Sequence, residues 1–364
     1  VVLDKALNLS LPILTLSLKE RILKQNGNAQ RSCYALRIKL ITHWLTGLEV
    51  FDVNKVTVVG SGFVGATVAQ YVADKDLADV VLVDIIEGVP QGKSLDMMEA
   101  APLGGHDCEI VGSNDYAATK GSDIVVITAG VARKEGMTRD DLLKINANIV
   151  QGVAANAVKH SPDAIFIVVS NPLDVMTYLT WKTTKLPSSR VIGMAGVLDS
   201  ARFQAFIGME TGFSVQDIKA MVLGGHGDLM VPLPRFSSVN GVPITELMSA
   251  EKIEALSKRT RDGGIEIVKL LKTGSAYYAP GYSVAEMVES ILKDKNRLLP
   301  CAVHADGVYG LKDVYIGLPA VLGREGMKKI VELKLTEKES ADLKKSADSI
   351  RENIDAMNKM LVTA

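Results

Sequence analysis

The chain has 364 residues, 47% hydrophobic and 23% charged, so it can bury a sizeable core and is longer than one typical domain requires. Its 41 lysines and arginines face 42 aspartates and glutamates, and a net charge of -1 offers no broad attraction for nucleic acid or for an anionic membrane surface. Small molecules are the expected partners.

Cys33, Cys108 and Cys301 are odd in number and far apart, which fits neither a disulfide framework nor a zinc cluster. Buried, inert thiols in a reducing cytoplasm are expected. No apolar run approaches the roughly 20 residues of a membrane-spanning helix. Residues 6–18, between Lys5 and Lys19, have the length of a signal-peptide core, but Asp4 and the lack of an Ala-x-Ala cleavage site argue against export.

Residues 1–50 read differently from the rest, with leucine alternating at Leu7, Leu9 and Leu11, an interruption at Pro12 and a polar, turn-like run over 25–30. No domain is evident there. The stretch is expected to be an added leader, a misjudged start or a segment peripheral to the fold.

From Lys55 onward the pattern is strand, glycine turn, helix, repeated. The runs 56–59, 80–85, 124–128 and 165–170 are β-branched and nearly continuous, as in strands covered on both faces. The stretches 64–73 and 142–160 have helical length, so a doubly wound parallel sheet of Rossmann type is the economical topology, with residues 191–194 as its last strand. After Gly196 the pattern becomes mixed α+β. Helices are expected over 199–210 and 251–271, extended segments over 218–223, 301–308 and 314–316, and a charged helix over 336–360 with Thr336 as its cap. The expected fold class is therefore α/β, with a cofactor domain over residues 51–197 and a mixed α+β substrate domain over 198–364.

Gly60-Ser61-Gly62-Phe63-Val64-Gly65 follows a strand and opens a helix. Such glycines permit a tight turn, close approach of a pyrophosphate and helix packing. A lone motif of this kind is weak evidence, but Asp84 ends the next strand, where a carboxylate can bind the adenosine ribose hydroxyls. That carboxylate would repel the extra phosphate of NADP, and Ile85 and Ile86 supply no cation for it, so the expected cofactor is NAD.

Further segments stand in order along the chain: Thr128-Ala-Gly-Val-Ala-Arg133, Gly136-Met-Thr-Arg139, Val169-Ser-Asn-Pro-Leu-Asp174, Leu198-Asp-Ser-Ala-Arg202 and Gly224-Gly-His-Gly-Asp228. Taken singly they are ambiguous. Asp199 and Arg202 could be an ordinary helical ion pair, Asn171 a mere Asn-Pro turn, and Arg133 and Arg139 solvated loop arginines. Together with the glycine motif, their order and spacing resemble the lactate/malate dehydrogenase family, and most closely its lactate-dehydrogenase-like malate dehydrogenase branch, over essentially all of the chain from Lys55.

The resemblance implies reversible, NAD-dependent oxidation of (S)-malate to oxaloacetate, with L-lactate or another 2-hydroxy acid as the alternative substrate. His226 would be the proton shuttle, for which an unperturbed pKa near 6.5 suits a histidine. Asp199 would fix its tautomer and stabilise its protonated form. Arg202 would anchor the C1 carboxylate through two parallel hydrogen bonds, Asn171 would donate to substrate oxygen, and Arg139 would polarise the C2 carbonyl. Arg133, on the lid-like loop 131–141, would meet the substituent at C3, where lactate dehydrogenases typically carry glutamine. Val169 and Ser170 would line the cofactor, with Asn146 also near NAD.

His43, His106, His160 and His304 have no comparable context, and with scattered histidines and no HExxH spacing no metal is expected. A noncatalytic NAD-binding protein is the reading from another class, since fold alone does not establish chemistry. The family also implies a homodimer or homotetramer. A chain truncated to begin near Phe51 is expected to retain activity, and a soluble but inactive truncation would contradict the peripheral role given to residues 1–50.

Overall fold

The computed structural model describes residues 53–131 and 137–362, so Cys33, His43, Arg133 and the segment 1–50 lie outside the described residues, as does the side chain of Arg139. The β-branched runs form strands β1 (Lys55–Val59), β2 (Asp79–Val83), β3 (Ile110–Ser113), β4 (Ile124–Ile127), β5 (Ile165–Val168) and β6 (Val191–Gly193). Every residue of β4 and β5 is buried, which is why these runs do not alternate in polarity. The six strands pair in parallel in the order β3-β2-β1-β4-β5-β6, the doubly wound arrangement.

Helices α1 (Phe63–Asp74), α2 (Val89–Gly104), α3 (Arg139–His160) and α4 (Leu173–Thr184) connect these strands. α3 starts three residues before the expected position. Thr138 accepts from the Asp141 backbone N–H, while Asp141 accepts from that of Thr138, so a capping box sets the start. β2 ends earlier than the expected 80–85 because Asp84 Oδ1 accepts the Ile86 N–H at 3.0 Å and turns the chain.

Residues 191–194 do supply the last parallel strand, but the sheet continues beyond it. β12 (Arg297–Ala305) pairs antiparallel with β6, followed by β13 (Val314–Gly323) and β14 (Gly326–Ile330). The approach is close because Gly193 has no side chain. An added Cβ would stand 2.6 Å from Thr177 Oγ1, 2.7 Å from Leu173 Cδ2 and 2.8 Å from Ala302 Cβ.

The remaining elements are α5 (Gly196–Thr211), β7 (Ile218–Lys219), β8 (Val222–Leu223), β9 (Val231–Pro232), β10 (Ser238–Val239), β11 (Val242–Pro243), α6 (Ile244–Leu247), α7 (Ala250–Leu271), α8 (Tyr278–Leu292) and α9 (Glu337–Val362). The single extended stretch expected over 218–223 is two strands in different small sheets, β7 beside β10 and β8 beside β9. Phe203, Ile207, Ile218, Met230, Ile244 and Ile253 belong to a second hydrophobic cluster, separate from the main core around the large sheet. α9 packs against α3, α4 and β13. Burial pushes the Cys108 thiol up to about 12 and raises that of Cys301 as well, so both are poor nucleophiles. Among the described residues no helix is long and apolar enough to cross a membrane.

Gly193→Ala is expected to destabilise the protein by about 1–3 kcal/mol, since both neighbouring side chains and β12 must give way. An unchanged midpoint of thermal unfolding would show that the β6–β12 junction is not tightly packed.

Candidate active site and cofactor cradle

The chain reverses direction across the sheet between β1 and β4, and the carboxyl ends of those strands bound the crevice in which open α/β sheets bind ligands. Gly60 leaves β1 with φ 106°, a region that favours glycine, and its N–H donates to Val83 O at 2.8 Å. Thr128, just past β4, donates its hydroxyl to Val59 O and Gly60 O at 3.1 and 3.0 Å. A Cβ on Gly65 would collide with Gly60 O, so α1 can start against this turn only with glycine there.

The helix that begins here has Gly62 as its cap, with neither a side-chain cap nor an acidic residue in its first turn. First-turn N–H groups have no acceptor within their own helix, so this end suits an anion. Ser61 is buried and its hydroxyl has no partner among the described residues. Its peptide is held from both sides: the N–H donates to Asp84 Oδ2 at 2.6 Å, and the carbonyl accepts from Lys93 Nζ at 2.6 Å. Gly62 opens onto free space and Val64 is half-buried, while Phe63 is 69% exposed and stacks on Tyr277 with ring centroids 5.2 Å apart. A bare helix terminus, an unpartnered buried hydroxyl and a carboxylate at the end of β2 fit a dinucleotide. Beside Asp84, Ile85 is 94% exposed and brings no cation.

Val169, Ser170 and Asn171 follow β5 at the same edge of the sheet. Val169 continues the ladder by donating to Ile127 O at 2.9 Å, and the Ser170 hydroxyl donates to Ala129 O. Asn171 is exposed and joined to Pro172 by a cis peptide bond. Asn146, on α3, is buried, and its side chain is a brace. It accepts from Val131 N at 2.8 Å and donates to Val131 O at 3.1 Å and Asn171 O at 2.7 Å. It thereby ties the loop leaving β4 to the segment that carries Asn171.

The first turn of α5 carries Asp199, 2% exposed, and one turn on is Arg202. Asp199 Oδ1 accepts from Arg202 Nη1 at 3.0 Å, and Oδ2 lies 2.8 Å from His226 Nδ1. The ring's other nitrogen, Nε2, is left as the one that can exchange a proton with a ligand. Gly263 and Gly264 of α7 pass beside the arginine. A Cβ on Gly263 would come within 3.2 Å of Arg202 Cδ, which accounts for a glycine pair inside a helix despite the penalty of about 1 kcal/mol each.

His226 is carried by the loop after β8, which is anchored to three further elements. Gly224 exchanges backbone hydrogen bonds with Gly317 of β13 at 2.9 and 3.1 Å. Gly225 N donates to Ser346 Oγ of α9, and His226 N donates to Asp174 Oδ2 of α4, both at 2.8 Å. Burial pulls the imidazole pKa down, but the charge and hydrogen bond of Asp199 and the charge of Asp174 outweigh burial and Arg202, leaving it raised. Burial likewise pushes the Asp174 carboxyl up to about 6, against the pull of the His226 N–H.

The structure thus brings His226, Asp199 and Arg202 together, and gathers the glycine loop with Asp84 at the switch point. Arg139 opens α3 directly after the Thr138 cap, while its side chain and all of Arg133 lie outside the described residues. Lys93, Asp174 and the Gly263–Gly264 pair were given no role by sequence reasoning. Only Asp174 carried a signal, as the last residue of the segment that also holds Asn171.

Residues 54–193 match the lactate/malate dehydrogenase NAD binding domain, and residues 196–361 match the alpha/beta C-terminal domain of the same family. The chain is similar to the malate dehydrogenase of Nostoc punctiforme, 59% identical over 85% of this chain and 95% of that protein. Its fold matches the malate dehydrogenase of Salinibacter ruber with a TM-score of 0.82 at 50% identity, over 85% of this chain and 99% of that one. The lactate dehydrogenase of Cryptosporidium parvum, solved with lactic acid and nicotinamide adenine dinucleotide, also matches with a TM-score of 0.82, at 40% identity over 85% of this chain and 99% of that one. With both halves of its described fold matched and its glycine cradle suited to NAD, the chain belongs to the lactate/malate dehydrogenase family.

Proposed function

We propose that the protein is an NAD-dependent malate dehydrogenase interconverting (S)-malate and oxaloacetate. The observation that carries this reading is the buried Asp199 carboxylate, shared between His226 and Arg202 at 2.8 and 3.0 Å. NAD, when bound, takes up or returns the hydride at the substrate's C2. Ser61, the first turn of α1 and Asp84 would hold it.

In malate oxidation His226 Nε2 removes the hydroxyl proton, and in oxaloacetate reduction it returns that proton to the C2 oxygen. Asp199 holds the ring in the tautomer this requires and offsets the charge it acquires. Arg202 keeps guanidinium nitrogens beyond Nη1 with which to hold the C1 carboxylate. Asn171 donates to substrate oxygen and Arg139 polarises the carbonyl, roles that rest on the family resemblance. Cofactor and substrate parts over residues 51–197 and 198–364 are supported by the two matched ranges and by the second hydrophobic cluster.

Fold likeness extends to a lactate dehydrogenase at 40% identity, but identity to malate dehydrogenases is higher, at 50% and 59%, and Arg133 is the residue expected to make the choice of substrate. Pyruvate has a methyl group where oxaloacetate has a second carboxylate. An arginine enclosed against that methyl would be an unpaired buried charge, costing several kcal/mol, and at about 1.4 kcal/mol per factor of ten this selects a hundredfold or more for oxaloacetate. The reading includes a cytoplasmic homodimer or homotetramer. Its support for self-association is the apolar surface of α2, where Leu95 and Leu103 are 61% and 93% exposed.

NADH oxidation with oxaloacetate and with pyruvate should show a strong oxaloacetate preference in specificity constant, and that preference should collapse in Arg133→Gln. A preference for pyruvate in the unmodified protein would make it a lactate dehydrogenase instead.

A further inference from the structure

His226 is served by two buried carboxylates, of which the proton relay described above uses only Asp199. Asp174 stands in the first turn of α4, 5% exposed, with Oδ2 accepting the His226 backbone N–H at 2.8 Å. Its other oxygen, Oδ1, has no partner among the described residues. As an acceptor for one N–H, a carboxylate is a costly choice. An asparagine could accept the same bond with no buried charge, whereas an ionised group without a matching cation is disfavoured by several kcal/mol.

The charges around the ring supply a reason. Asp199 and Arg202 face His226 from α5 and Asp174 faces it from α4, while α9 and β13 present the uncharged Ser346, Ile350 and Gly317 to the loop. Asp199 is already paired with Arg202. When the imidazole gains its proton before substrate binds, two cations stand against that one carboxylate, and Asp174 is the group that restores neutrality. Its place in the first turn of a helix favours its ionised form.

We propose that Asp174 is a positioning residue for proton transfer, fixing the backbone of His226 and supplying the second negative charge that stabilises its imidazolium. In this role Asp174 acts through His226, whose backbone N–H it holds. The charge of Asp174 helps raise the imidazole pKa, and His226 in turn pulls the Asp174 carboxyl down, although burial outweighs that pull and leaves the carboxyl at about 6. Asp174 therefore gives its full support above its own titration range, where oxaloacetate reduction most needs the proton retained.

The inference rests on His226 being the proton carrier, so its test includes a reading independent of turnover. Histidine ring resonances are titrated by NMR in the cofactor-free protein, with the His226 signal identified by its loss in His226→Asn. In Asp174→Asn, which keeps an acceptor and removes the charge, the His226 midpoint should fall by about one pH unit, with NADH binding unchanged. Because reduction needs the protonated ring, the alkaline fall in kcat/KM for oxaloacetate should move to lower pH by the same amount. An unmoved His226 midpoint, with any loss of turnover uniform across pH, would overturn the proposal and leave Asp174 a simple acceptor. Should the asparagine variant not fold, Asp174→Ser, smaller and still an acceptor, is titrated in the same way. Absence of oxaloacetate turnover in the unmodified protein would instead refute the malate dehydrogenase reading, while the ring titration would still decide the claim about Asp174.

Discussion

The 2.8 Å contact between His226 Nδ1 and Asp199 Oδ2 joins residues 27 apart in sequence at a place where both side chains are nearly shielded from water. A hydrogen bond to a buried carboxylate is strong there, but only if both partners are held in place before any ligand arrives. The surrounding fold supplies that restraint. α5 brings Asp199 and Arg202 up together, and the His226 loop is fixed by backbone or side-chain bonds to β13, α9 and α4. Three elements distant in sequence thus converge on a loop that would otherwise be free to move, which is the preorganisation an acid–base group needs.

The cofactor side follows the same logic at the sheet's switch point. Ser61 has its N–H on Asp84 and its carbonyl on Lys93, while Thr128 locks the carbonyl of Gly60. Asn146 fixes the loop after β4 to the segment after β5. Most of these bonds use backbone groups, so the crevice is shaped by the chain path and leaves the Ser61 hydroxyl and the first turn of α1 for a ligand. The antiparallel strands β12 and β13 extend the cofactor sheet and also carry Gly317, which anchors the His226 loop. Both halves of the site are therefore referred to one sheet.

Much of this was legible in the sequence wherever local chemistry decides the outcome. Buried parallel strands show as β-branched runs, so β1, β2, β4 and β5 were found to within two residues. The cap of α9 is as expected, with Glu339 N donating to Thr336 Oγ1 at 3.2 Å. What escaped depends on distant partners. Strand β14 and the full length of β13 are defined by pairing across a hairpin, and the split of 218–223 comes from two different neighbours. Asp174 could be seen in its motif, but its role depends on a backbone N–H 52 residues away. Asn146 was placed near the cofactor from resemblance, and the structure adds that its amide is a brace between two loops. The glycine pair in α7 makes sense only once Arg202 lies against it.

If His226 moves the proton while other residues hold the cofactor, His226→Asn should separate the two functions. An asparagine fits the same space but cannot exchange a proton near neutral pH. Fluorescence titration with NADH and turnover with oxaloacetate are measured on the same preparation. NADH binding should be unchanged while turnover falls by about a hundredfold or more. Turnover matching that of the unmodified protein would contradict the role given to His226.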